Sequence, residues 1–174
     1  MAQAGSGGPV LTDAERAFIE RARTATLGTI AEDGRPRLLP ICFVVLEGAL
    51  YTPIDEKPKS SDPRSLARIR DIERRAEVTV LIDRWSEDWT HLAWLRWEGR
   101  ASLTDDATER RAAIDALRAK YAQYARHALE SRPLIRIVID RVRSWGDLSD
   151  PERAPSRSGE GSASSSSPGD NRRR

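Results

Sequence analysis

Residues 24–54 read TATLGTIAEDGRPRLLPICFVVLEGALYTPI, and this stretch decides the fold class. Thr, Leu and Ile crowd positions 24–31, a mixture that suits a pleated, half-buried surface. Asp33-Gly34 follows, a pair whose tolerance of positive φ lets a strand turn straight back. The returning run, 36–46, is too apolar to keep a wet face along its whole length, and Gly48 turns the chain into a third run, 49–54. Consecutive strands joined by short turns make a meander, so an antiparallel β core is expected.

Upstream, Thr12-Asp-Ala-Glu15 has the capping-box pattern and predicts a helix to about Arg23, with Ala14, Phe18, Ile19 and Ala22 inward. Downstream, Asp62-Pro63 reads as an N-cap followed by proline at the first helical position. The helix it opens, 64–74, turns Leu66, Ile69 and Ile72 inward and leaves Arg64, Arg68 and Arg75 outside. EVTVLID at 77–83 is a strand by its β-branched content, and 90–103 is a longer one carrying Trp94 and Trp97. Residues 106–129 form an amphipathic helix in which Ile114, Leu117, Tyr121 and Tyr124 share a face. Pro133 blocks it, and a last strand, 134–142, follows with Trp145 just beyond. Six strands with helices between them predict a small closed antiparallel β-barrel rather than a doubly wound parallel sheet.

The ends differ in character. Residues 1–9 are small and Gly-rich, and 149–174 are rich in Ser and Arg, so both are expected to be disordered around a folded domain of 10–148. The Gly-Ser-Gly-Gly at 5–8 follows no strand and is therefore not read as a phosphate loop. The 174 residues are 39% hydrophobic and 32% charged. No uninterrupted apolar stretch approaches the ~18 positions that span a membrane. The formal charge is +2, and five Arg against four acids lie beyond Ser149, which argues against a dedicated nucleic-acid surface. The single cysteine, Cys42, excludes an intramolecular disulfide and a multi-cysteine metal cage. With no leader pattern at the start, a soluble, cytoplasmic protein is expected.

Hydrolase signatures are missing: there is no G-x-S-x-G, and His91 and His127 have no metal-ligand spacing. His127 near a helix end suits the dipole there, His91 is read within the 90–103 strand, and Cys42 inside an apolar strand reads as a small hydrophobe. The segment 55–68 is more informative. Lys57 and Lys59, stiffened by the proline between them, precede a capped helix start beside the hydroxyls of Ser60 and Ser61. Two ammonium groups and a helix N-terminus suit a phosphate, although a solvated turn reads the same way. Of five tryptophans, four fall at 85, 89, 94 and 97. Trp94 and Trp97, three apart, cannot share one face of a regular strand, so one must face out of the barrel toward a second subunit or a flat ligand.

The Asp-Gly hairpin, Pro40-Ile-Cys-Phe43, Tyr51-Thr-Pro53, the lysine loop and Val78-Thr-Val-Leu-Ile-Asp83 together resemble the pyridoxamine 5′-phosphate oxidase-like superfamily. Glu56-Lys-Pro-Lys59, Glu87-Asp-Trp89 and Leu95-Arg-Trp-Glu-Gly99-Arg-Ala101 resemble an actinobacterial branch that depends on the deazaflavin coenzyme F420. The resemblance spans about 14–148 and implies a six-stranded split β-barrel of the FMN-binding type, in a homodimer with cofactors in the grooves between subunits. It implies further that Lys57 and Lys59 hold the cofactor phosphate, with Thr52, Pro53 and Ser60 at that end of the groove. Pro40, Ile41 and Cys42 would back the ring, and Trp89, with Arg96, would reach the groove from the partner's side. The chemistry would be hydride transfer between F420 and a small organic substrate, which leaves the protein to orient and to exclude water. Alternatives are FMN on the same barrel, a non-catalytic carrier of a flavin-like ligand, and haem or biliverdin binding without turnover. Neither a metal site nor a nucleic-acid partner is expected.

Overall fold

The computed structural model describes residues 9–54 and 66–149. Helix α1 (Asp13–Arg21) starts on the expected box: Thr12 accepts from the Glu15 amide at 3.2 Å, and the Thr12 amide donates to the Glu15 carboxylate at 2.9 Å. Strands β1 (Ala25–Ile30) and β2 (Pro36–Ile41) make the first hairpin, and β3 (Val44–Leu46) and β4 (Ala49–Pro53) make the second. Glu47 and Gly48 both take positive φ, 49° and 78°, which gives the second hairpin a turn whose twist matches its strands. Then come α2 (Ala67–Arg74), β5 (Glu77–Arg84), β6 (Ala93–Leu103), α3 (Ala107–Lys120) and β7 (Leu134–Gly146). All pairings are antiparallel, in the order β2-β1-β5-β6-β7-β4-β3.

The count is seven strands rather than six because the run 36–46 is broken at Cys42-Phe43. Its first half pairs with β1 at one edge of the sheet, and its second half pairs with β4 at the other. One continuous piece of chain thus links both edges and curls the sheet into a split barrel, a shape reached only if that piece leaves one ladder to enter the next. At the break, Phe43 loses its strand partners and Tyr121 replaces them. The Phe43 amide donates to the Tyr121 hydroxyl at 3.0 Å, whose own proton faces the Phe43 carbonyl at 2.9 Å and the Arg23 carbonyl at 3.0 Å.

The inner faces of β1, β5 and β6 alternate cleanly, placing Leu27, Val80, Ile82, Leu95 and Trp97 in a core shared with Ile135 and Ile137 of β7. Helix α2 closes this core with Ile69 and Ile72. It is tied down through buried Asp71, which accepts from Thr29 at 2.9 Å, from Arg37 at 2.8 Å and from Arg74 at 3.3 Å. A second core lies between α3 and the β3–β4 hairpin, built on Tyr51, Ile114, Leu117, Tyr121 and Tyr124. Where β6 and β7 slip register at Glu98/Gly99, a Cβ on Gly99 would stand 2.0 Å from the Val138 carbonyl oxygen, so only glycine permits the bulge.

Several boundaries differ from the sequence expectation. The first helix stops at Arg21 rather than Arg23. The start expected at 62–64 for the second helix lies outside the described residues. The third ends at Lys120, and a separate 3-10 turn (Ala122–Arg126) carries Tyr124, because Tyr121 must leave helical geometry to reach Phe43. His91 stands in a 3-10 turn (Trp89–His91) capped by Asp88, not in a strand. The last strand runs on to Gly146, which brings Trp145 into the ladder opposite Trp94. No helix among the described residues is long and apolar enough to cross a membrane.

Candidate functional site

Alternation along the strands decides what the outer face of the sheet carries. With Leu27, Val80, Ile82, Leu95 and Trp97 inside, their neighbours Thr26, Gly28, Thr79, Leu81, Trp94 and Arg96 point outward. Register sets Leu38 against Gly28 and Gly28 against Thr79, while the next row runs Pro40, Thr26, Leu81, Arg96 and Arg143. Over these rows lie two adjoining troughs that share Gly28, Leu38 and Thr79. One, of about 460 Å³, is walled by Leu38, Leu81 and Trp94 with Arg96 and Asp83 at its rim. The other, of about 710 Å³, continues toward Arg75, Glu77, Glu98 and Arg141. Both volumes fall within the ordinary range for small-molecule sites.

Gly28 makes the floor smooth: a Cβ there would lie 3.2 Å from Leu38 Cδ2 and 3.4 Å from the Thr79 carbonyl oxygen. A flat ring could rest on that floor where a side chain would otherwise stand. Leu38 is 69% exposed, and Trp85, Trp89 and Trp145 are 69%, 73% and 55% exposed. Trp97, by contrast, is fully buried in the barrel, so the expectation that Trp94 and Trp97 take opposite faces holds.

Charge bounds the polar end. Arg100 reaches Glu77 at 2.7 Å, and Arg141 stands 3.9 Å from Glu98. The Glu77 carboxyl is held below its usual range, first by its own backbone amide and then by Arg100. Arg96 Nε stands 2.9 Å from the Glu98 carboxylate but off the line of a hydrogen bond, which leaves that buried nitrogen without an aligned acceptor. In the β5–β6 connection, Asp88 caps the turn of Trp89 by accepting from the Thr90 amide, and its carboxyl is lowered by the Thr90 hydroxyl first and that amide second. His91 Nδ1 lies 3.5 Å from Asp88. Among the described residues no group of three or more His, Cys, Asp or Glu could hold a metal ion.

The residues singled out from the sequence scatter over this frame. Pro40 is exposed and shares the outward row of Leu81 and Arg96, and Trp89 is exposed in the β5–β6 connection. Ile41 faces the core at 5% exposure, and Cys42 is half-buried against the second core at the junction of β2 and β3. Thr52 and Pro53 are buried in β4 opposite Ile135 and Leu134, so their side chains offer no open surface in the single chain. Lys57, Lys59 and Ser60 lie outside the described residues. The described chain reaches Ile54, whose amide donates to the Pro133 carbonyl at 3.1 Å, and resumes at Leu66. Gly28, Leu38, Thr79 and Leu81 were not singled out from the sequence. The available signals were a glycine inside a strand and the strict alternation of 77–83, which puts Thr79 and Leu81 on the wet side.

Against known proteins, a family model described as "Pyridoxamine 5'-phosphate oxidase" matches residues 11–146. No curated protein matches the chain. Among solved structures, a conserved hypothetical protein from Mycobacterium tuberculosis is similar at TM-score 0.63 and 23% identity, over 82% of this chain and 91% of that one. An FAD-binding protein from Mesorhizobium loti is similar at TM-score 0.56 and 20% identity, over 77% of this chain and 94% of that one. The heme storage protein HutZ from Vibrio cholerae is similar at TM-score 0.58 and 15% identity, over 75% and 90%. At these identities the structural likenesses speak to the split-barrel fold.

Proposed function

The chain belongs to the pyridoxamine 5′-phosphate oxidase family, and from that premise we propose that it is a dimeric oxidoreductase passing hydride between coenzyme F420 and a small organic substrate. The observation that carries the reading is the glycine-floored apolar trough on the outer face of the sheet, open beside Pro40. A deazaflavin supplies hydride chemistry when bound, so the protein need only bind, orient and keep water out. In this reading Gly28 and Leu38 seat one face of the ring and Pro40 its edge, while Lys57, Lys59 and Ser60 hold the phosphate. Trp94 walls the groove, Trp89 and Arg96 close it at the subunit boundary, and a second copy covers the exposed tryptophans. Ile41, Cys42, Thr52 and Pro53 then act through the backbone they hold in place, since their side chains are wholly or partly turned inward.

Two other readings have support of their own. The likeness to an FAD-binding protein favours FMN on the same barrel, and the likeness to a heme storage protein favours binding without turnover. Titration of the full chain with F420, FMN and haemin, followed by tryptophan fluorescence and visible absorption, separates them. F420 is expected to quench Trp94 and Trp89 and to bind tightest. Lys57→Ala with Lys59→Ala should weaken F420 by more than about tenfold, given about 1.5–3 kcal/mol for each charge-assisted contact. Preference for FMN would move the assignment to a flavin enzyme, and preference for haemin with no turnover of F420 would overturn it.

A further inference from the structure

On the other flank of the barrel, in the split between α1, α3 and the β3–β4 hairpin, lies a cavity of about 560 Å³ that the cofactor reading does not use. Much of its wall is apolar and partly small: Leu11 and Ile19 from α1 and its approach, Val44 and Leu46 from β3, and Ala116 and Ala119 from α3. Lys120, the last residue of α3, lines it. Its ammonium sits 4.2 Å from the centroid of the Phe43 ring and 5.6 Å from that of Tyr121. Those ring faces and the negative end of the helix favour a cation there, yet neither supplies a counter-charge.

The charged groups around the ammonium are few. Arg23 repels it, Glu20 attracts it, the thiol of Cys42 and the hydroxyl of Tyr121 lie close by, and Arg16, Glu20 and Glu47 all stand at the cavity wall. No hydrogen bond or ion pair of Lys120 with a described residue accompanies its two ring contacts. A half-buried cation that lines a largely apolar cavity, and whose contacts are two ring faces rather than a carboxylate, is electrostatically incomplete in the way an anion with an apolar body would repair. We propose that this cavity is a second ligand site, and that it takes an unbranched, medium-chain monocarboxylate whose carboxylate pairs with Lys120 and whose chain lies along Val44, Ile19 and Ala116.

Burial, then the Arg23 charge, lowers Lys120 to about 8, so near neutral pH the cation persists without a partner and above pH 8 it begins to be lost. A bound carboxylate would raise that value, so binding should take up protons at pH 8.5 and weaken as pH rises further. Glu20 is the group on α1 that would compete with the ligand, and Arg23 the one that would help it.

Decanoate is the probe, titrated into the full chain and followed calorimetrically in buffers of different ionisation enthalpy and by amide chemical-shift mapping. Chemical shifts in α1, β3 and the end of α3, with proton uptake at pH 8.5, are the expected result. Lys120→Met keeps the aliphatic stem and should weaken decanoate by at least about tenfold while leaving decanol unaffected. Ala116→Leu fills the cavity with a strong helix former and should weaken both. Shifts confined to the outer-face trough, decanol binding as tightly as decanoate, or affinity indifferent to both substitutions would overturn the proposal. The proposal is independent of the cofactor assignment, since neither variant touches the trough.

Discussion

Replacing Asp71 by alanine tests the tie between α2 and the sheet. The carboxylate is 3% exposed and accepts one hydroxyl and two guanidinium hydrogen bonds, from Thr29, Arg37 and Arg74. Breaking a buried ion pair from one side costs about 3–5 kcal/mol when the stranded partner stays buried. Here Arg37 and Arg74 are 43% and 41% exposed and can turn to water. The stranded group is instead Thr29, at 1% exposure, whose unpaired hydroxyl costs about 1–3 kcal/mol. Together with the lost charge-assisted bonds the expected destabilisation is about 3 kcal/mol. That corresponds to a drop in Tm of about 6–12 °C for a chain of this size. Urea unfolding of the wild type, Asp71→Ala, Thr29→Val and the double variant should show strong coupling, because once Asp71 is gone the valine removes an orphaned hydroxyl rather than a bond. A Tm within 2 °C of wild type for Asp71→Ala, or additive single effects, would refute the reasoning.

Two further outcomes follow from the same physics. Tyr121→Phe removes the hydroxyl that serves Phe43 at the strand break, and is expected to cost about 1–3 kcal/mol and to speed hydrogen exchange at the Phe43 amide. Unchanged exchange there would show that the break is held by packing alone. Glu109 accepts from Thr104, Tyr51 and Arg136, and these bonds, the Thr104 hydroxyl first, hold its carboxyl below the usual carboxylate range. A carboxyl that titrates lower folded than unfolded stabilises fully above its unfolded value and loses that contribution as pH falls through the folded one. The gap in urea midpoint between wild type and Glu109→Gln should therefore be widest at neutral pH and close in acid; a gap that is constant with pH would contradict this.

Local signals were enough for the two hairpin turns, the capping box and the amphipathic faces, while the expected three-strand meander parts into hairpins at opposite edges of the sheet. Thr12 with Glu15, Asp33-Gly34, Gly48 and the spacing of Ile69 and Ile72 each act within a few residues, where sequence and geometry are nearly the same thing. The trough was half legible. Alternation in 77–83 and the spacing of Trp94 and Trp97 sort side chains between two faces, but they do not say that Gly28, Leu38 and Thr79 come from three strands to make one floor.

The sequence by itself determined roughly where strands and helices run, and the family to which the order of its motifs points. Tertiary structure alone decided how many strands there are and where candidate residues face. The reason is that the run 36–46 carries no local signal for its break. No turn residue marks it, and only the demand that one piece of chain pair with β1 and also with β4 forces it to part at Phe43, where a tyrosine 78 residues away takes over the backbone. The same closure turns Ile41 and Thr52 into the interior and leaves Pro40, Leu38 and Trp94 outside. Sequence adjacency cannot foresee this, because adjacent residues in a strand face opposite ways and the barrel chooses which way is in.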